Sequence, residues 1–213
     1  MRRLIIFLLF WGGFSFVCGQ NKLLDDDFWR SATPAQVQAQ IKAGADVHAR
    51  SKGGETPLVY ALKYYADIEC IKLLLGKGAD INARGGIHKK TPLMVAFRYY
   101  ANIECIKLLL SKGADVKAID KYGWTPLMGA AQYNTNTEVI KLLLSKGADV
   151  KARGGTENRT ALMAAAKYNT NTEVIKLLLS KGADINARGD MYNKTPMMLA
   201  AEHNTNPEVI KLL

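Results

Sequence analysis

The tripeptide Gly-Ala-Asp recurs at 44–46, 78–80, 113–115, 147–149 and 182–184, at spacings of 34, 35, 34 and 35 residues. Thr-Pro recurs with the same period from Thr56, Thr91, Thr125 and Thr195, and Thr160-Ala161 fills the remaining place. A third register, Glu-(Val/Cys)-Ile-Lys-Leu-Leu, begins at Glu69, Glu104, Glu138, Glu173 and Glu208. A period of this length held in three phases describes one supersecondary unit used repeatedly. Such a unit cannot bury its apolar side alone, so neighbours must stack to share a core.

Each phase has a local meaning. A threonine oxygen caps free N–H groups at a helix start, and proline in the first helical position gives up no hydrogen bond. Thr56, Thr91, Thr125, Thr160 and Thr195 are therefore expected to cap a first helix. Pro207 marks the start of a second helix and makes Asn206 its cap; by alignment Asn171, Asn136, Asn102 and Asp67 take the same role. The glycine of Gly-Ala-Asp can adopt the left-handed conformation that closes that helix. Polar, glycine-rich connectors such as 84–90 and 153–159 suit turns. Along the second helix Ile140, Leu143 and Leu144 form one apolar stripe at helical spacing. These residues predict an all-α repeat solenoid of helix, loop, helix and protruding turn.

Trp124-Thr-Pro-Leu-Met-Gly-Ala-Ala followed by Glu138-Val-Ile-Lys-Leu-Leu-Leu-Ser-Lys-Gly-Ala-Asp-Val150 resembles the ankyrin repeat throughout. The likeness runs from about residue 30 to 213. It implies ankyrin-type helix-loop-helix repeats with β-turn or hairpin connectors: four full repeats and a truncated fifth over 53–213, after a linker and capping repeat at 20–52. In the capping repeat Phe28 and Trp29 are expected to cover the first apolar face, and Thr33-Pro34 to start a helix running to Gly44. Leu213 falls inside the second helix of the fifth unit, so that helix is expected to fray unless the chain continues. Two features depart from the family pattern. The histidine usual after Thr-Pro-Leu is replaced by Val59, Met94, Met128, Met163 and Met198. The period also exceeds the usual ~33 residues, with the extra residues placed in loops, where insertions are tolerated.

The first residues follow a different rule. Arg2 and Arg3 precede an apolar run from Leu4 to Val17. At 1.5 Å per residue that run spans roughly 21 Å, short of the ~30 Å membrane core. A charged start, a short apolar stretch and small residues near Gly19 predict a secretory signal peptide over 1–19, cleaved after Gly19, in preference to lipid attachment at Cys18. The mature chain then holds Cys70 and Cys105, at equivalent places in adjacent repeats. Packed helices lie ~8–10 Å apart, beyond the roughly 7 Å that a disulfide spans. Two buried free thiols are expected.

The chain carries no recognisable chemistry of catalysis or metal binding. His48, His88 and His203 are scattered, and zinc-spaced cysteines and a Walker phosphate loop are lacking. The Glu-x-x-Lys pairs at 69/72, 104/107, 138/141 and 173/176 read as solvated helix faces. The paired glycines Gly85-Gly86 and Gly154-Gly155 are expected for their φ angles. Asn158-Arg-Thr and Asn193-Lys-Thr match glycosylation sequons, but their threonines already serve as caps. A non-enzymatic chain without cofactor is expected.

The family resemblance implies partner binding on the concave side, through turn tips and the exposed side of the first helices. Position by position, the tips contribute Ile87, His88, Lys121, Tyr122, Trp124, Arg159, Met191 and Tyr192, with Lys90 and Glu157 beside them. The helices contribute Tyr64, Arg98, Tyr99, Tyr133 and Tyr168. Trp124 is expected exposed at a central tip; the regular tyrosines also suit packing between repeats. Tyr, Trp and Arg dominate interface hot spots. A formal charge of +10, from 29 basic and 19 acidic side chains, favours an acidic or mixed-polarity protein partner. The expected function is a monomeric protein-binding scaffold, secreted or periplasmic; an exported effector aimed at a host protein is the alternative. A nucleic-acid surface is the reading of another class. It calls for Lys and Arg gathered in one stripe, whereas here they are spread over every repeat.

Overall fold

The computed structural model describes residues 21–99, 102–189 and 191–213; the expected signal peptide lies outside them. A single 3-10 turn (Lys22–Leu24) leads into α1 (Asp26–Trp29) and α2 (Pro34–Lys42). Five helix pairs follow: α3 (Pro57–Lys63) with α4 (Ile68–Gly76), α5 (Pro92–Tyr99) with α6 (Ile103–Ser111), and α7 (Pro126–Tyr133) with α8 (Thr137–Ser145). The last two are α9 (Ala161–Tyr168) with α10 (Thr172–Ser180), and α11 (Pro196–His203) with α12 (Pro207–Leu212). The described chain has no strands, and the connectors are turns closed by single antiparallel bridges, Gly85 to Lys90, Gly154 to Arg159 and Gly189 to Lys194. The expected hairpins are thus reduced to one bridge at these three tips, and the tips at 51–55 and 120–124 have none among the described residues.

The caps form as expected, with one exception. Asp67, Asn102, Asn136, Asn171 and Asn206 each accept a backbone N–H of the second helix through the side chain. Thr91, Thr125, Thr160 and Thr195 do the same for first helices. Thr56 does not: its hydroxyl makes no cap bond and lies buried without a hydrogen-bond partner among the described residues. At the other end Gly78, Gly113, Gly147 and Gly182 have φ between +84° and +89°. Ala79 N–H reaches back to Leu74 C=O at 3.0 Å and Gly78 N–H to Leu75 C=O at 3.0 Å, the paired bonds that satisfy the last helical carbonyls.

First helices stack on first helices, α3 on α5, α5 on α7, α7 on α9 and α9 on α11; α8, α10 and α12 form a row behind them. Their apolar faces merge into one core. Val139, Ile140 and Leu143 are fully buried, while Leu144 is half-buried and flanks the stripe. The residues standing where the family has histidine are apolar contributors: Val59, Met94, Met128 and Met163 are buried, and Met198 is 48% exposed. At the leading end Trp29 is buried, donates its indole N–H to Leu23 C=O at 2.9 Å, and meets Phe28 edge to face. Cys70 and Cys105 are buried free thiols.

Two ladders lock successive units together. Asn169 donates its side-chain amide to Ala131 C=O at 2.9 Å and Asn134 C=O at 3.0 Å; Asn204 repeats this on Ala166 and Asn169. At the tips, Lys121 N–H bonds His88 C=O at 2.8 Å and Gly155 N–H bonds Tyr122 C=O at 2.8 Å. These tip bonds bring backbones so close that a Cβ on Gly154 would run into the Gly123 carbonyl. Of each glycine pair only the second has a positive φ, +71° at Gly86 and +78° at Gly155. The first is required by close approach, which corrects the expectation that φ explains both.

Candidate partner-binding cleft

Stacked tips leave a gap where they meet the ends of the first helices. Between the tips around His88, Tyr122 and Glu157 and the helices α5 and α7 this gap is a cleft of ≈ 430 Å³. It gathers six of the expected site residues: His88, Arg98, Tyr122, Trp124, Tyr133 and Arg159. Lys90, Asp120, Gln132, Gly155, Thr156 and Glu157 complete the lining.

Asp120 organises the central tip. One carboxylate oxygen accepts the N–H of Tyr122 at 2.8 Å and of Trp124 at 2.9 Å, and the Asp120 backbone N–H bonds Trp124 C=O at 3.0 Å. Aspartate is a standard turn builder because it hydrogen-bonds backbone two residues on. Its place in Asp120-Lys-Tyr-Gly is the signal that could have identified it.

Trp124 is not the exposed knob expected. It is half-buried against the core, with its ring edge against Gly155 of the next tip and its indole nitrogen near Gly129. A Cβ at Gly155 would crowd the ring at 3.1–3.2 Å, whereas one at Gly129 would make only ordinary contact at 3.8 Å. Arg159 is also corrected: it is buried, paired with Glu157, and its backbone closes the bridge to Gly154. Tyr122 and Tyr133 are the accessible aromatics of the cleft, each 42% exposed. The His88 ring lies 5.5 Å from that of Tyr122 at a tilt of 46°, while its Nδ1 is buried without a hydrogen-bond partner among the described residues.

The other expected residues lie outside the cleft. Ile87 is exposed on the His88 tip, and Lys121 lies over the Tyr122 ring at 5.9 Å. Met191 and Tyr192 are exposed on the last tip, where Lys194 covers the Tyr192 ring at 4.9 Å. The tyrosine series splits in two. Tyr168 is exposed like Tyr133, whereas Tyr64 and Tyr99 pack against the core. Tyr64 holds the leading unit in place, with Arg30 over its ring at 5.6 Å; burial, then a hydrogen bond to Asp26, pushes its phenol up to about 12.

Electrostatically the cleft is uneven. Glu157 is taken up by Arg159 and Asp120 by backbone amides. Lys90 has its ammonium held below the ordinary lysine range, first by burial and then by Arg98, with Asp120 opposing. Among the described residues no three acidic, histidine or cysteine side chains converge as a metal site, and no helix is long and apolar enough to cross a membrane.

Comparison with known proteins agrees with the geometry. The family model for ankyrin repeats matches in three copies, over residues 31–120, 85–154 and 152–213. An ankyrin repeat protein of fowlpox virus (strain NVSL) is 51% identical over 51 residues, which is 24% of this chain and 10% of that protein. The chain thus aligns with about a tenth of that curated relative.

Proposed function

Because the chain belongs to the ankyrin-repeat family, whose repeats are generally protein–protein interaction modules, we propose that it is an adaptor that holds another protein on its tip-and-first-helix side, outside the cytoplasm. The observation that carries this reading is the cleft of the central repeats, where exposed Tyr122 and Tyr133 stand beside Lys90 and Arg98, neither of which has an acidic side chain within ion-pair distance among the described residues. Aromatic and cationic side chains around a partly dry hollow are the usual makings of an interface hot spot. The opposite surface is of another kind. Lys72, Lys141, Lys176 and Lys211 are exposed and paired three residues away with glutamate at 2.6–2.8 Å, arrangements that contribute little to affinity. Export rests on the pattern of residues 1–19 alone.

The test is capture by the immobilised full chain from the extracytoplasmic fraction, with three proteins side by side. A Tyr122→Ala/Tyr133→Ala variant should lose a partner that wild type retains, at roughly 1–3 kcal/mol per residue. A Lys141→Ala/Lys176→Ala variant should retain it. The reverse pattern would remove the cleft from the interface. Trp124 is unsuited to this comparison because its ring also supports the fold. Sequencing the mature N-terminus tests export: a chain beginning at Gln20 is expected, and retained Met1 would overturn it.

A further inference from the structure

The cleft holds more positive charge than it neutralises. Of its two acids, Glu157 is paired with Arg159, and Asp120 is turned toward the Tyr122 and Trp124 amides. Lys90 and Arg98 remain, and among the described residues neither has an acidic side chain within ion-pair distance. In the first and last units the corresponding cations are paired. Lys63 reaches Glu55 at 3.3 Å, and Lys194, which occupies the Lys90 place in the last unit, reaches Glu202. In the Lys90 unit Arg98 stands where that glutamate stands in the last one. Two like charges thus replace an internal ion pair, as Arg159 and Lys167 do two units on, but here without the glutamate that takes up Arg159 there.

Like charges held together in a partly desolvated place repel unless a counter-charge arrives from outside. The ammonium of Lys90 is depressed first by burial and then by Arg98, and Asp120 offsets only part of this. His88, in the same wall, has a buried nitrogen with no hydrogen-bond partner among the described residues. The walls also carry the exposed rings of Tyr122 and Tyr133. A free inorganic anion would use the charge and ignore the rings; a side chain bearing a carboxylate on an apolar stem uses both.

We propose that the Lys90–Arg98 cleft is a carboxylate receptor that takes an acidic side chain of a protein partner, with adjacent residues of the partner laid on Tyr122 and Tyr133. The proposal rests on the reading that this side of the array binds protein, and adds which chemistry is read there. Arg98 presents a planar fork suited to a carboxylate, and Lys90 supplies a point charge from the neighbouring turn. The pair acts as a selectivity device, because without a carboxylate between them the two cations oppose each other.

The experiment uses the full chain and two probe peptides, acetyl-Tyr-Glu-Glu-Tyr-amide and its Gln-Gln counterpart, titrated with detection by tryptophan fluorescence and by NMR of the Lys90 and Arg98 side chains. The glutamate peptide is expected to bind about tenfold more tightly, the ratio that one charge-assisted hydrogen bond supports. Lys90→Gln and Arg98→Gln should each abolish the preference without lowering the unfolding midpoint, and Lys141→Gln should leave it unchanged. Equal binding of the two peptides, binding of neither at millimolar concentration, or a preference that survives both substitutions would overturn the proposal. Displacement of the glutamate peptide by a short oligothymidylate, with steep salt dependence, would overturn it in favour of a nucleic-acid phosphate. The two readings fail separately. A partner lost on Tyr122→Ala/Tyr133→Ala but kept on Lys90→Gln/Arg98→Gln removes only the carboxylate assignment, whereas a partner kept by both variants removes the interface.

Discussion

At the scale of single residues, the asparagine after each first helix decides how one unit is joined to the next. Asn169 is 1% exposed and spends both amide hydrogens on carbonyls of the preceding unit, while its oxygen accepts Asn171 N–H. Asn134 accepts Asn136 N–H in the same way, but its amide nitrogen is buried without a partner among the described residues. The preceding unit has Tyr100-Ala101 in its sequence where later units have Asn-Thr. Asn169→Ala should therefore cost about 2–3 kcal/mol and Asn134→Ala only about 1 kcal/mol, read from urea unfolding. Equal costs would show that the inter-unit bonds carry no net stability. The thiols make a second test. Burial pushes Cys70 up to about 11, with Asp67 adding to it, and burial pushes Cys105 up to about 12, from an ordinary 9.0. The folded state therefore keeps protons that the unfolded chain has lost, so stability is level below pH 9.0 and falls as pH rises through about 11. A Cys70→Ala/Cys105→Val variant should show a shallower alkaline fall, keeping the part that the raised Tyr64 phenol contributes, which unfolding curves across that range would reveal.

Among elements, the first helices differ in how they start. Thr160 caps α9 by accepting Met163 N–H at 3.2 Å, whereas Thr56 makes no such bond at α3. Thr160→Ala is expected to lower stability by about 1 kcal/mol and Thr56→Ala by less than about 0.5 kcal/mol. Matching losses would mean that the cap bond at Thr160 is energetically idle. Turns behave as packed elements as well as connectors. At Gly154 an added methyl meets backbone of the Gly123–Trp124 step, which cannot swing aside as a side chain could. Gly154→Ala should cost about 2 kcal/mol by forcing the tips apart, and should also weaken the cleft, whose wall includes Gly155 and Trp124. Thermal unfolding alongside the peptide titration checks both; an unchanged midpoint would mean that the tips tolerate separation.

Across the whole molecule, stability is shared between neighbours, so a unit is as firm as its contacts on both sides. Met128 and Met163 have 0% exposure beneath the following unit, while Met198, at the same repeat position, is 48% exposed. Amide exchange should accordingly be slowest in α7 to α10 and fastest in α11 and α12 and the first turn. Uniform protection along the array would instead indicate a single all-or-none unit. The Tyr122–Tyr133 wall of the cleft then belongs to the firmest stretch of the chain, which limits the ordering cost of binding there.

The periodic sequence determined the repeating pair of helices, nearly every cap, the closing glycines, the free thiols and the side of the array to inspect. Those features depend on residues a few places apart, whose backbone geometry is decided locally. What only the tertiary structure decided concerns residues about one period apart. Whether Trp124 stands free depends on the glycine at 155, and whether Arg159 is available depends on Glu157 and the turn around it. The unmatched Lys90 and Arg98 look ordinary in sequence, among 29 basic side chains. They become distinctive only when stacking places them in one hollow with its acids already engaged, because charge pairing and burial are properties of neighbours in space.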